Sequence, residues 1–166
     1  MLPEEVTIFI GKSLGTFACE VEKGAIKRFA DAIDDPNPIY WDEEYAAKSR
    51  YGSMIAPPGF FGWLVKLPRG ATFQVPNVVC DPPDTLENMR EALAKVGYGN
   101  LLDGGMEYEF FQPIRAGDAL TAKSVIKDII EREGKAGKMV FVITETTYLN
   151  QSGQIMAKSN ATAIYR

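Results

Sequence analysis

The side chains best suited to acid–base chemistry lie in one short stretch, Asp34-Asp35-Pro36-Asn37-Pro38-Ile39-Tyr40. The two prolines exclude helix from it, because proline has no backbone N–H and disfavours the helical conformation of the residue before it. A rigid turn at the end of a buried helix would hold a carboxylate in one place, as catalysis requires. The alternative is an ordinary helix-ending turn, in which Asp and Asn make local backbone hydrogen bonds. The turn alone favours that alternative.

The chain contains no histidine. This excludes Ser-His-Asp and Cys-His arrangements within the chain and removes the side chain best suited to proton transfer near neutral pH. Cys19 and Cys80 match no metal-ligand spacing and are too few for a disulfide framework. Acid–base chemistry must therefore use carboxylates, Tyr, Lys or Cys, or a group from another chain. The residues predict no metal and no cofactor.

The composition is that of a globular protein, with 166 residues of which 46% are hydrophobic and 24% charged. We expect one domain over residues 1–166. The net charge of −4 argues against nucleic acid as a partner. No apolar run approaches the roughly 20 residues of a membrane span, and Pro3, Glu4 and Glu5 stand where a signal peptide would be basic. We therefore expect a cytoplasmic protein with no membrane partner.

Helices are predicted on both sides of the polar turn. Apolar residues at helical spacing predict a helix at about residues 23–33, with a buried face of Ala25, Ile26, Phe29, Ala30 and Ile33. Trp41–Lys48 predicts a short helix with acidic residues in its first turn. Pro58–Leu67 begins with proline and is apolar nearly all round, which predicts a central buried helix. Its Phe60, Phe61 and Trp63 are predicted to pack in the core.

Residues 71–100 are predicted to form an excursion with one extra helix, because Asp84–Glu87 resembles a capping box before the apolar stripe Leu86, Met89, Leu93 and Val96. This helix could wall a pocket or decorate the surface. Strands are predicted at about residues 16–21, 105–111, 120–133, 138–149 and 154–165. A buried helix followed by an antiparallel meander predicts an α+β fold with the sheet wrapped around that helix.

Taken together, these residues resemble the MaoC-like hydratase/dehydratase family, which has the hot-dog fold. The family motif runs roughly Gly-Asp-x-Asn-Pro-(Ile/Leu/Val)-His, and Asp34–Tyr40 matches it in its central part. The match continues at Phe110-Phe-Gln-Pro-Ile-Arg-Ala-Gly-Asp118, which looks like the family's strand and turn before the meander. The resemblance covers nearly the whole chain. It implies water addition to trans-2-enoyl thioesters, usually on CoA, or the reverse dehydration.

Carried over residue by residue, the resemblance gives Asp35 the role of the family's water-activating Asp. It places Asn37 in the catalytic turn and Tyr40 at the position of the family's His. A phenol with a pKa of about 10 is a poorer base at pH 7 than an imidazole at about 6.5, and this gap of roughly 3.5 units is about 5 kcal/mol. An acid role survives for Tyr40, whereas a base role is disfavoured.

The resemblance also implies a substrate-binding segment of Pro58, Gly59 and Phe60. In the family, a backbone amide at the start of the central helix stabilises the thioester oxygen. An ungapped count puts that position on Pro58, which has no N–H to donate. A shift of one residue would place it on Gly59. We expect Asp35 and Tyr40 on one pocket wall near this segment.

Hot-dog domains of this family work in pairs, and in some pairs one member has lost Asp and His. The resemblance therefore implies a subunit that binds acyl-CoA or acyl carrier protein thioesters and is weak or inactive alone. It would form a heterodimer with a His-bearing hot-dog chain, with a homodimer as the alternative. Two other hypotheses are a self-sufficient hydratase or dehydratase using Asp35 and Tyr40, and a hot-dog thioesterase in which a lone carboxylate activates water. The missing His favours the first.

Overall fold

The computed structural model describes residues 2–65, 84–134 and 137–166. Its helices are α1 (Glu4–Thr7), α2 (Lys23–Ala32), α3 (Glu43–Lys48) and α4 (Thr85–Lys95), with a 3₁₀ turn at Pro38–Tyr40. Its strands are β1 (Ser13–Glu20), β2 (Trp63–Val65), β3 (Leu101–Phe110), β4 (Ala119–Gly134), β5 (Gly137–Leu149) and β6 (Ile155–Tyr165). Among the described residues, no helix is long and apolar enough to cross a membrane.

The described strands form one antiparallel sheet in the order β2-β1-β4-β5-β6-β3. The long strands β4, β5 and β6 are consecutive in the chain and adjacent in the sheet, as expected for a meander with short turns. The turn between β5 and β6 closes with the N–H of Gly153 donating to the carbonyl of Asn150 at 2.9 Å. The predicted α+β class and the predicted meander are therefore confirmed.

Helices α2 and α4 cover the same face of the sheet at its two ends. The alternating positions Ala122, Ser124 and Ile126 of β4 point to this face. Ala122 belongs to the hydrophobic cluster under α2, whereas Ile126 belongs to the cluster under α4. Helix α2 is the predicted helix at residues 23–33, and it buries Ala25, Ile26 and Ala30, while the predicted core residue Ile33 is 50% exposed beyond its end.

The extra helix predicted within residues 71–100 is present as α4, and residues 71–83 lie outside the described part of the chain. Met89 and Leu93 are buried in the second cluster against residues of β4 and β5. Each such buried side chain contributes about 1.5–3 kcal/mol. The Asp84 side chain makes no capping hydrogen bond, so the predicted capping box is not formed. The helix is thus part of a second core and not a surface decoration.

The central helix predicted at Pro58–Leu67 is wrong over its described part. Pro57–Phe60 is a tight turn, and Trp63–Val65 is strand β2, paired antiparallel with β1. Gly62, between them, has φ +82, and a Cβ there would lie 2.4 Å from the carbonyl oxygen of Glu20. A short apolar run is compatible with either a buried helix or a buried strand, and here the close approach of the chain to β1 selects the strand. Among the described residues, helix α2 packs in the hydrophobic cluster at this end of the sheet.

Strand β3 forms an outer edge of the sheet, and all ten of its residues are exposed. Among the residues that the structure describes, its one paired neighbour is β6. Tyr108 and Phe110 are 41% and 47% exposed although the register with Ser159 and Ala157 puts them on the helix-covered face. Phe111, which follows the strand, is 46% exposed. The edge therefore offers unpaired backbone groups and apolar side chains together.

Candidate functional site

The turn that precedes Tyr40 is held by its own polar side chains. The Asp35 carboxylate accepts the N–H of Asn37 at 3.0 Å, and the Asn37 side-chain oxygen accepts the N–H of Ile39 at 3.1 Å. The indole N–H of Trp41 donates to the Asp35 carbonyl at 2.9 Å. Asn37 is therefore the N-cap of the 3₁₀ turn, a local role that Asn favours. Asp35 has one carboxylate oxygen committed to the same turn.

Tyr40 is buried at the end of this turn, with 6% of its surface exposed. Burial raises the pKa of its phenol above the ordinary value of 10, and the negative charge of Asp35 and the neighbouring Tyr51 raise it further. A raised phenol pKa keeps Tyr40 protonated near neutral pH. Tyr40 can therefore donate a hydrogen bond there but is a poor base.

Asp35 and Tyr40 line different cavities. We call the first the acidic cavity; it has a volume of about 320 Å³ and is lined by Ala30, Asp31, Asp34, Asp35, Pro36 and Trp41. We call the second the tyrosine cavity; it has a volume of about 370 Å³ and is lined by Tyr40, Tyr51, Ile55, Ala56, Pro57, Pro58, Phe110, Phe111, Gln112, Pro113 and Ile114. The two lining sets are separate in the single chain, although Asp35 is near enough for its charge to raise the pKa of Tyr40. That Asp35 and Tyr40 share one pocket wall stays a prediction.

The predicted substrate-binding segment lies at a turn and not at a helix start. Gly59 has φ +90, and the N–H of Phe60 donates to the carbonyl of Pro57 at 3.0 Å. Proline followed by a glycine of positive φ is typical of a type II turn. Pro58 lines the tyrosine cavity, whereas Phe60 is buried and stacks on Phe29 at 4.9 Å between ring centroids. The segment therefore divides between cavity wall and core.

The helix start that would orient a backbone amide at the thioester oxygen is replaced by this turn. Pro58 has no N–H, and the N–H of Phe60 is used to close the turn. Gly59 remains as the one residue of the segment whose N–H makes no hydrogen bond among the described residues. A single amide without a helix dipole is a weak oxyanion site.

Sequence reasoning missed most of the tyrosine cavity. Tyr51 and Ile55 come from the loop after α3, and Phe110 and Phe111 come from the end of β3. These two segments are brought together by backbone pairing, since the N–H of Ala56 donates to the carbonyl of Ile114 at 2.8 Å. The one available signal was the Phe110–Asp118 motif, which matched the family but was interpreted only as a strand and turn.

A family model described as FAS1-like, dehydratase domain region, matches residues 8–159. A UPF0336 protein of Streptomyces avermitilis is 33% identical over 122 residues, which are 73% of this chain and 71% of that protein. A probable enoyl-CoA hydratase alpha subunit of Thermomonospora curvata is 25% identical over 134 residues, covering 80% of this chain and 40% of that protein.

Solved structures share the fold at lower identity. The ChsH1-ChsH2 complex from Mycobacterium tuberculosis contains a chain with a TM-score of 0.73 and 17% identity, over 92% of this chain and 88% of that one. A chain of the HadBC (3R-hydroxyacyl-ACP dehydratase) complex from the same organism has a TM-score of 0.65 and 21% identity, over 96% of this chain and 98% of that one. A MaoC-like dehydratase from Rhodospirillum rubrum has a TM-score of 0.57 and 22% identity, over 94% of this chain and 91% of that one. The chain therefore belongs to the FAS1-like dehydratase domain family and has the hot-dog fold.

Proposed function

We propose that this chain is the acyl-thioester-binding subunit of a hydratase or dehydratase whose catalytic His is supplied by a second hot-dog chain. The observation that carries the proposal is Tyr40, which stands at the position of the family's His in a chain that has no histidine. Its pKa is raised above 10 by burial and by its neighbours, so the gap of about 5 kcal/mol between phenol and imidazole as bases is widened further.

The position of Asp35 supports the same proposal. A self-sufficient hydratase would need Asp35 and Tyr40 to face one water molecule, and a proton-transfer group must come within hydrogen-bond reach of the group it serves. Asp35 lies in the acidic cavity and Tyr40 in the tyrosine cavity. One Asp35 oxygen is also occupied by the N–H of Asn37. The self-sufficient hypothesis is therefore disfavoured. The thioesterase hypothesis does not need Tyr40, and only the use of one Asp35 oxygen by Asn37 counts against it.

The tyrosine cavity supports a binding role. Its walls are mainly apolar, with three prolines, two isoleucines and two phenylalanines, and its polar groups are few. Ligand sites are generally of this kind, an apolar cleft with a small number of polar groups that fix orientation. An acyl group fits the walls, and the Tyr40 hydroxyl group is available as a hydrogen-bond donor beside it.

The exposed edge β3 supports a partner strand. A ten-residue edge with exposed apolar side chains resembles half of an interface. Two similar structures are of the ChsH1-ChsH2 complex and the HadBC complex, and the relative from Thermomonospora curvata is a probable enoyl-CoA hydratase alpha subunit. Phe110 and Phe111 belong both to the end of this edge and to the tyrosine cavity, so a chain paired along β3 would also reach the cavity.

The test is steady-state hydration of crotonyl-CoA by the chain alone, by a hot-dog chain that keeps Asp-x-Asn-Pro-x-His, and by the reconstituted pair. We expect turnover by the lone chain well below about 1 s⁻¹, the low end of ordinary enzymes, and ordinary turnover by the pair. In the pair, Tyr40→Phe should change the rate only modestly, and truncating the partner's motif His should abolish it. The exposed Tyr45→Phe is the matched control. Turnover of the lone chain at 1 s⁻¹ or faster would reject the proposal.

A further inference from the structure

Two arginines beside the tyrosine cavity are held by one residue of its wall. The guanidinium of Arg50 lies over the Tyr51 ring, 4.7 Å from its centroid, and its Nη2 donates to the Tyr51 hydroxyl oxygen at 2.5 Å. The Nε of Arg115 donates to the Tyr51 carbonyl at 3.4 Å. Tyr51 lines the cavity, so both guanidinium groups contact a residue of its wall.

The backbone around these arginines is fixed by hydrogen bonds. The Ser49 hydroxyl group donates to the Ala46 carbonyl at 2.7 Å and accepts the N–H of Tyr51 at 3.1 Å, which ties Tyr51 to the end of α3. The N–H of Arg115 donates to the Asp118 carboxylate at 2.7 Å, and Arg115 is bridged to Ile55 across the paired segments. These hydrogen bonds fix the backbone positions from which the two arginine side chains extend.

Neither guanidinium has a carboxylate partner in the described part of the chain. Lys23, Lys127 and Lys138, by contrast, pair with Glu43, Glu145 and Glu131. This contrast is informative because the chain has 22 acidic and 18 basic residues. Two arginines without an anion next to an apolar cavity leave several N–H donors for the anionic end of a ligand whose apolar end enters the cavity.

We propose that Arg50 and Arg115 bind the phosphate of the pantetheine arm that carries the acyl thioester. The proposal rests on the proposed function, which supplies the acyl thioester. Arginine is suited to the task because its planar fork of donors makes two parallel hydrogen bonds to phosphate. CoA and acyl carrier proteins both present this phosphate, so the site serves either carrier. Tyr51 acts as the positioning residue that holds both cations.

The test uses the full chain and three probes: crotonyl-CoA, crotonyl-4′-phosphopantetheine and crotonyl-pantetheine, which lacks phosphate. Binding is measured by calorimetry for the wild type and for the Arg50→Ala, Arg115→Ala double variant. We expect the double variant to bind both phosphate probes about 10- to 100-fold more weakly, the range for hydrogen bonds to a charged group. Its affinity for crotonyl-pantetheine should be unchanged. Raising the salt concentration should weaken only the phosphate probes.

Arg132→Ala is the matched control, because Arg132 also stacks on an aromatic ring, Phe141, at 5.4 Å, but lies near the far end of β4. It should leave all three affinities unchanged. An equal loss of affinity for both phosphate probes would support binding of the pantetheine phosphate by the two arginines. A loss of affinity for crotonyl-CoA alone would overturn this proposal, because the arginines would then bind the nucleotide phosphates. Unchanged affinities for all probes would overturn the arginine site and leave the proposed function standing. A wild type that binds none of the probes would overturn both.

Discussion

The two ends of the helix-covered face of the sheet are packed with different kinds of side chain. Under α4, the second cluster consists mainly of buried aliphatic residues such as Leu93, Ile126 and Val140. Under α2, the first cluster contains Tyr40 and Phe60 and borders the loops that form the tyrosine cavity. Between them, the Ser124 and Thr146 hydroxyl groups share a hydrogen bond of 2.8 Å. The difference indicates that one end mainly stabilises the domain and the other tolerates the openings that a ligand needs.

The largest effect is expected at the stabilising end. Leu93→Ala removes a fully buried side chain from α4, which should lower the free energy of unfolding by about 2–5 kcal/mol through lost burial and the cavity left behind. Urea denaturation measures this change. Leu86→Ala, on the same helix but 38% exposed, is the control and should cost much less. Equal losses for both variants would show that α4 does not carry a second core.

The next largest effect concerns the cavity itself. Ile55 is half-buried and lines the tyrosine cavity, so Ile55→Trp should fill that space and weaken crotonyl-CoA binding more than about tenfold, or 1.4 kcal/mol. The urea midpoint should move little by comparison. Ile33→Trp, at a 50% exposed position, should bind normally. Normal crotonyl-CoA binding by Ile55→Trp would show that the ligand binds outside the tyrosine cavity.

A smaller effect is expected in the polar turn. Asn37→Ala removes the cap of the 3₁₀ turn and should cost about 1 kcal/mol of stability, the usual cost of losing an N-cap. Turnover of the reconstituted pair should fall by no more than the stability loss explains. Asn88→Ala, at an exposed position of α4, is the comparison variant. If Asn37→Ala kept its stability but lost most of the turnover, Asn37 would have the catalytic role that the family motif implies.

The smallest effect is expected at alkaline pH. Burial raises the pKa of both Tyr40 and Tyr148 above 10. The folded state therefore holds these protons more tightly than the unfolded state, and the stability they contribute is present below about pH 10 and is lost as the pH rises through the folded pKa values. Tyr40→Phe and Tyr148→Phe should each reduce the alkaline loss seen by urea denaturation, whereas Tyr45→Phe should not. Identical alkaline profiles for all variants would contradict the burial of these phenols.

The sequence predicted the parts of the fold that repeat a regular pattern. Helix α2 and strands β4, β5 and β6 follow helical or alternating periodicity, which reports one buried face directly. The segment at Pro58–Leu67 carried no such period, because nearly every residue is apolar. Its described part is a turn and a strand, fixed by Gly62 against the backbone of Glu20, a contact between residues far apart in the chain.

The site was predictable as a turn but not as a cavity. The polar residues Asp35 and Asn37 and the two prolines predicted a rigid turn, and their local hydrogen bonds are those expected of such residues. The direction in which each side chain points depends on packing, and Tyr40 and Asp35 line different cavities. The tyrosine cavity also needs the pairing of the loop after α3 with the segment after β3, which no local pattern reports.

Because strand β3 is an exposed edge, the tendency of this chain to aggregate in a cell depends on whether something covers that strand. Exposed N–H and C=O groups along a strand edge are a template for other strands, including those of newly made or partly folded chains, although the irregularity between Asp103 and Met106 interrupts this edge. We therefore expect a chain whose β3 edge stays uncovered to be more prone to precipitation and proteolysis. If a second chain covers β3, as proposed, balanced synthesis of the two chains would keep this ten-residue edge from staying exposed.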